Sequence, residues 1–75
     1  MSDLNPVDKQ QVKAILMTHA EMQDHRTLVT EEVISRLKAE GGDDDEVADM
    51  IEELNTSVKE MTDDSENLKR LASHF

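Results

Sequence analysis

The acidic stretch from Glu40 to Glu66 limits the fold of this chain more than any other feature of the sequence. It holds twelve carboxylates and a single cation, Lys59, so these 27 residues have a net charge of −11 while the other 48 are close to neutral. Apolar residues recur through the same stretch at helical spacing: Val47, Met50, Ile51, Leu54, Val58 and Met61. We therefore expect the acid to lie on the outer side of a folded helix and not in a disordered tail.

The chain is short for an independent fold. Its 75 residues allow at most one domain, and its candidate core residues, from Val7 to Phe75, include neither Trp nor Tyr. A chain of this length buries only about 60% of the surface that it exposes when unfolded. We therefore expect help from outside the chain, either from a second copy in a homodimer or from a protein partner.

Composition and charge exclude several classes of protein. Cysteine is absent, so the chain forms no disulfide and has no thiol nucleophile, which favours a reducing, cytoplasmic compartment. No apolar run is long enough for a membrane span, and the start of the chain lacks the features of a signal peptide. A net charge of −10 disfavours direct binding to nucleic acid or to an anionic membrane, because both are negatively charged.

Capping signals and periodicity predict an all-α fold, a small bundle of three or alternatively four short amphipathic helices. The first helix is expected over about residues 6–24, because Asn5 is a good N-cap and Pro6 is tolerated at the first helical position. The second helix is expected over about residues 31–40, after a Thr30 cap. The residues at helical spacing on the inner face of the first helix are Val12, Ile15, Leu16, His19 and Met22.

The third helix is expected over about residues 44–61, after Gly41 as a left-handed cap and a capping box of Asp43 and Glu46. Asp63 begins a second stretch with the same capping spacing. Residues 63–74 therefore either form a fourth helix or continue the third, and the sequence leaves both alternatives open.

A seven-residue repeat of apolar residues runs through the C-terminal half of the chain. Positions 47, 54, 61, 68 and 75 are all apolar, as the a positions of a coiled coil would be. The residues three positions after each of them include Ser57 and Asp64, which are polar. We therefore expect a poor coiled-coil seam.

Metal-binding and catalytic residue types occur without the spacing that either task needs. The run 43–46 begins like an EF-hand loop, but Ala48 and Leu54 stand where such a loop requires Gly and Glu. Glu21 and His25 are four residues apart and share a helix face, yet two ligands do not complete a metal site. No nucleophile is paired with a base. We therefore expect no metal, no cofactor and no enzymatic activity.

The function that we expect is protein binding through the acidic side of the third helix. The outward carboxylates of this helix form a row: Asp44, Asp45, Asp49, Glu52, Glu53 and Glu60. Such a row suits a basic surface on a larger protein, as in a regulator or an inhibitor, and its charge spacing suggests mimicry of DNA.

Homo-oligomerisation is the alternative function, in which the acid serves only for solubility. The chain would then be a structural helical bundle. Its apolar interface would consist of four residues: Met17, Leu68, Leu71 and Phe75.

Residues 30–55 are similar to region 1.1 of the primary bacterial sigma factors, an acidic helical module. In that module a short helix ending in Leu and an acidic loop precede a helix with the pattern Val/Ile-x-Asp-Ile-Ile-x-x-Ile-Asn. The residues at matching intervals here are Val33, Leu37, Val47, Asp49, Ile51, Leu54 and Asn55. The chain departs from the family in a longer connection before Thr30 and in lacking a Gly after the last helix. The resemblance implies a third, weaker hypothesis, occupation of the basic nucleic-acid channel of RNA polymerase.

Overall fold

The computed structural model describes residues 5–75, which form two antiparallel α-helices joined by a short turn. Helix α1 is Pro6–Glu40 and helix α2 is Asp45–Ala72, and together they make a flat rod of 57 × 18 × 13 Å. No β-strand occurs in this range. The all-α fold class is confirmed, but two long helices stand where we expected a bundle of three or four short ones. No helix of the described residues is long and apolar enough to cross a membrane.

Both ends of α1 are closed by hydrogen bonds from neighbouring residues. At the start, the Asn5 side chain accepts a hydrogen bond from the Asp8 backbone N–H at 2.9 Å, and Pro6 occupies the first helical position, as expected. At the other end, the Gly41 N–H donates to the Leu37 carbonyl oxygen at 2.7 Å. These bonds satisfy backbone groups that a helix end otherwise leaves unpaired.

The middle of α1 corrects the prediction of two separate helices. The helix continues through residues 25–30 because this segment contains neither Gly nor Pro to interrupt it. Thr27 stays helical and donates its hydroxyl to the Gln23 carbonyl oxygen at 2.9 Å. Thr30, which we predicted as the N-cap of a second helix, therefore lies inside α1 and is half-buried.

The turn between the helices needs both of its glycines, for different reasons. Gly42 has φ of +58°, so the left-handed residue is one position later than the expected Gly41. Gly41 has an ordinary φ of −78° but leaves no room for a side chain. A Cβ atom there would lie 2.6 Å from the Leu37 carbonyl oxygen and would clash with the Val47 side chain. The chain therefore reverses within four residues only because both positions are glycine.

Helix α2 begins one residue later than the capping box predicted and then continues to the end of the described fold. Its N-cap is Asp44, not Asp43, and the Asp44 side chain accepts a hydrogen bond from the Glu46 N–H at 2.9 Å. The helix passes without a break through residues 62–65. Of the two alternatives, residues 63–72 therefore continue the preceding helix and do not form a fourth one. Residues 62–65 likewise contain no Gly or Pro that would end a helix already under way.

The two helices pack through a seam whose positions are spaced alternately by four and three residues. On α2 the less exposed residues at this spacing are Val47, Ile51, Leu54, Val58, Met61, Ser65, Leu68 and Ala72. On α1 they are Leu16, Ala20, Gln23, Thr27, Thr30, Ile34 and Leu37. This is the spacing of a two-stranded coiled coil, and it corrects which residues we assigned to the seam. We had paired the seven-residue repeat at 47, 54, 61 and 68 with the residues three positions after each member. The residues that pack against α1 lie four positions after each member instead.

The hydrophobic core of the hairpin is small. Among the apolar side chains of the described residues, only Ala20, Ile34 and Ala72 are buried. Two helices side by side make a single layer, so most seam residues remain open to solvent on one broad side. Ile15 and Met22, which we expected on the inner face of the first helix, are 68% and 57% exposed.

Candidate functional site

The outer side of α2 carries a row of carboxylates. Five of the six predicted partner-binding residues lie along the helix itself, and all of them are solvent-exposed: Asp45, Asp49, Glu52, Glu53 and Glu60. At about 1.5 Å per residue, the row from Asp45 to Glu60 extends about 22 Å. The sixth residue, Asp44, is also exposed, but its carboxylate is the N-cap of α2. We use the name acidic row for the five helical carboxylates.

No cation neutralises the acidic row within residues 5–75. The ion-pair contacts of this range lie elsewhere: Arg36–Glu32 at 3.1 Å, Lys69–Asp24 at 2.9 Å and His19–Asp64 at 3.7 Å. Helix α1 has six carboxylates and five Lys or Arg residues, whereas α2 has nine and three. The negative potential of the described chain is therefore strongest along the outer side of α2.

A polar cluster that sequence reasoning missed joins the two helices. The Ser65 hydroxyl donates to the Asp24 carboxylate at 2.6 Å, and Lys69 Nζ donates to the same carboxylate at 2.9 Å. These hydrogen bonds hold the pKa of Asp24 below its ordinary value, and the bond from Ser65 has the larger effect. Ser65 is 2% exposed, so its hydroxyl is inaccessible to a substrate in this structure. The cluster favours this register of the helices, since a slipped seam would leave the buried Ser65 hydroxyl without its carboxylate partner.

The signal for this cluster was present in the seven-residue spacing. Ser65 follows Ile51 and Val58 at steps of seven, and a lone polar residue at such a position commonly sets the register of a coiled coil. We had instead left residues 63–74 as either a fourth helix or a continuation of the third, and had given Ser65 no role in a seam. The partner, Asp24, could not be identified before α1 and α2 were known to be continuous and antiparallel.

A second polar contact lies one residue earlier on each helix. Gln23 Nε2 donates to Asp64 Oδ2 at 2.7 Å, and His19 Nε2 lies 3.7 Å from the same oxygen. The other amide atom, Gln23 Oε1, is buried without a hydrogen-bond partner in the described structure. A buried acceptor without a partner costs about 1–3 kcal/mol.

The residues predicted as an apolar interface do not lie together. Leu68 packs in the seam and is half-buried, and Met17 is half-buried on α1. Leu71 and Phe75 are 42% and 43% exposed. Leu71 and Phe75 are therefore the more exposed two of the four predicted residues.

The metal-ligand types of the described residues are dispersed. No group of three or more His, Cys, Asp or Glu residues within 5–75 is arranged to hold a metal ion. Residues 43–46, which begin like an EF-hand loop, form the turn and the first residues of α2. Glu21 and His25 are both exposed on α1.

Comparisons with models of protein families, with curated proteins and with solved structures found no match to this chain. The stretch that is similar to the short helix of sigma region 1.1 forms the last part of α1 and is not a helix of its own. The function therefore has to be inferred from the surfaces that the hairpin exposes.

Proposed function

We propose that this protein is a small acidic interaction module, a regulator or inhibitor that binds a basic surface of a larger protein through the outer side of α2. The observation that supports the proposal is the acidic row, which is exposed and has no cation partner within residues 5–75. Like charges at neighbouring helix positions destabilise a helix. Solubility alone does not call for such a row, because the same number of carboxylates mixed with cations would provide it.

The dimensions of the acidic row suit a partner that binds nucleic acid. Five carboxylates along about 22 Å give one charge per roughly 4.5 Å of helix axis, compared with about 3.4 Å for one strand of DNA. The row is thus somewhat less dense than a phosphate strand and lies on one rigid helix. Mimicry of DNA is the specific form of the proposal, and it predicts that the protein competes with DNA for its partner.

The test compares two triple variants that remove the same charge from different helices. Asp49→Asn/Glu52→Gln/Glu53→Gln neutralises the acidic row, and Glu21→Gln/Glu31→Gln/Glu40→Gln neutralises three exposed carboxylates of α1. Partners captured from the native lysate on the tagged wild-type chain are identified, purified and titrated with all three proteins. At 0.05 M salt we expect the α2 variant to bind about 10- to 100-fold more weakly, since each lost charge contact contributes up to roughly 1 kcal/mol.

The α1 variant is the control for net charge. It should bind within a few-fold of the wild-type chain, because its altered residues lie off the row. If both variants bind equally well, or if both lose the same affinity, the outer side of α2 is not the binding surface and the proposal is wrong.

Competition with DNA separates the mimic from a simple acidic ligand. A DNA-binding partner should release a labelled duplex when the wild-type chain is added and retain it with the α2 variant. The channel of RNA polymerase, which the resemblance to sigma region 1.1 implies, is one basic surface that this assay can include. It is the weaker candidate because the matching residues of α1 belong to a helix of 35 residues.

A further inference from the structure

The large apolar side chains that remain exposed are concentrated on one broad side of the hairpin. Nine large apolar residues of the described chain are exposed. Six of them share a side, which we call the apolar face: Ile15, Met22, Val29, Val33, Met50 and Leu71. The three others are Val7, Leu28 and Phe75. This concentration on one side is what needs an explanation, since single exposed apolar residues are ordinary.

Helical geometry places these residues on the same side. At about 100° per residue, the four on α1 are displaced by roughly 90–130° from the centre of the seam, and the two on α2 by roughly 50–110° in the same rotational sense. Antiparallel helices are related by a two-fold axis normal to the hairpin, so an equal sense of displacement means the same broad side. Leu28 is displaced by roughly 120° in the opposite sense and therefore lies on the other side.

A contact between the helices agrees with this placement. His19 lies between Ile15 and Met22 on the surface of α1, and Asp64 precedes Leu71 by seven residues on α2. His19 Nε2 and Asp64 Oδ2 are 3.7 Å apart, so the two helices present these residues to the same side. The apolar face is therefore continuous across both helices, with this polar pair near its middle.

The surface area of the chain indicates how much of it is available for burial. A compact monomer of 8.5 kDa would expose about 4,650 Å². This chain exposes 5856 Å², which is about 1,200 Å² more. A stable interface between two proteins buries about 800 Å² on each partner. The excess is therefore large enough to supply one complete interface.

We infer that a second copy of the same chain covers the apolar face, so that the protein is a two-fold symmetric dimer in which two hairpins stack as a four-helix bundle. The distribution of charge selects this occupant. The acidic row follows the outer corner of α2, where Asp45, Asp49 and Glu52 point away from the apolar face and Glu53 and Glu60 lie at its edge. A partner chosen by charge would dock on that corner and leave the middle of the apolar face open. With α1 of one copy over α2 of the other, the two acidic rows occupy opposite corners of the bundle and neighbouring helices are antiparallel.

The dimer is independent of the proposed partner binding and differs from the interface that the sequence predicted. It uses Leu71 of that prediction, but its centre is on α1 at Met22 and Val29. It also gives a reason for the small core of the hairpin. Stacking of a second layer would bury more of seam residues such as Met61 and Leu68, which are only half-buried in the single layer.

Two neighbouring residues of α1 provide a matched test. Val29 is 48% exposed on the apolar face, and Leu28 is 66% exposed on the opposite side. We would compare Val29→Glu with Leu28→Glu by sedimentation equilibrium at 5–200 µM chain in about 0.15 M salt. The wild-type chain and Leu28→Glu should sediment as twice 8.5 kDa, and Val29→Glu should dissociate at least 100-fold more readily.

Each other outcome overturns the inference. A monomeric wild-type chain at 200 µM would exclude a dimer of useful stability. If both variants remain dimeric, or if both become monomeric, the apolar face is not the specific interface. Far-ultraviolet circular dichroism shows whether Val29→Glu is still helical.

A measurement on the unaltered chain covers the case in which Val29→Glu unfolds. In a sample mixed from chains labelled with ¹³C at the methionine methyl groups and unlabelled chains, intermolecular nuclear Overhauser effects should reach Met22 and Met50. Their absence, or their appearance only at Met17, which lies toward the other side, would refute the assigned face.

Discussion

Ile34 is the largest apolar side chain that the hairpin buries, so replacing it with Ala measures how strongly α1 and α2 hold together. It is 6% exposed, and the other buried apolar residues, Ala20 and Ala72, are small. The substitution removes three carbon atoms from the seam, each contributing about 0.8 kcal/mol. The higher helix propensity of Ala returns about 0.4 kcal/mol. We therefore expect Ile34→Ala to lower the free energy of unfolding by about 2 kcal/mol.

The thinness of the hairpin keeps this value at the low end for buried aliphatic residues. A cavity in a single layer of two helices opens to solvent and can partly close, so its additional cost is small. Even so, about 2 kcal/mol is a large share of the roughly 4–11 kcal/mol expected for a chain of this length. Urea unfolding followed at 222 nm should show a midpoint lower by about 2 M, given a slope near 1 kcal/mol/M.

Leu28→Ala is the control for this experiment, since Leu28 is 66% exposed on the same helix. It should change the free energy of unfolding by less than about 0.5 kcal/mol. All proteins must be compared at one chain concentration, because dimerisation would make stability depend on concentration. If Ile34→Ala loses less than about 0.5 kcal/mol, or no more than Leu28→Ala, the described seam does not hold the helices together.

Two further predictions concern the polar cluster and the turn. Asp24→Asn should destabilise the fold near neutral pH, and the difference from the wild-type chain should shrink as the pH falls below about 3.9. Folding lowers the pKa of Asp24, so its contribution is present above the unfolded pKa and lost as the pH falls through the folded pKa; urea titrations at pH 7 and pH 3 measure it. Gly42→Ala should cost about 1–2 kcal/mol for its left-handed φ. Gly41→Ala should lower the thermal midpoint further, because its Cβ meets the Leu37 carbonyl oxygen; an equal or smaller loss than for Gly42→Ala would contradict the described turn.

Local signals in the sequence were sufficient for the features that depend on neighbouring residues alone. The Asn5 cap and the Pro6 start of α1 follow from side chains that act within one helical turn. The reversal at the two glycines and the exposed position of the acidic row follow from φ preference and from charge. None of these features requires knowledge of how α1 packs against α2.

The features that sequence reasoning missed depend on the partner helix. Thr30 has the composition of an N-cap, but a cap forms only where a helix has already stopped, and nothing before it stops α1. From the sequence alone Ser65 resembles a surface residue, and only its contacts with Ala20 and Asp24 of α1 identify it as a seam residue. Whether Met50 or Ile51 joins Val47 in the seam likewise depends on the surface that α1 presents to α2. Tertiary contacts therefore overrode local preference where local preference was weak.

The two proposed surfaces should respond to salt in opposite directions, and this separates them on one molecule. Each chain has a net charge of −10, so a dimer brings two strongly negative bodies together. At 0.01 M salt the Debye length is about 30 Å and the acidic rows at opposite corners still repel, whereas at 0.15 M it is about 8 Å and the repulsion is largely screened. Added salt should therefore tighten the dimer while it weakens attraction between an acidic row and a basic partner. A dimer that weakens with salt would mean that charge attraction holds the copies together, and an apolar interface would then be the wrong explanation.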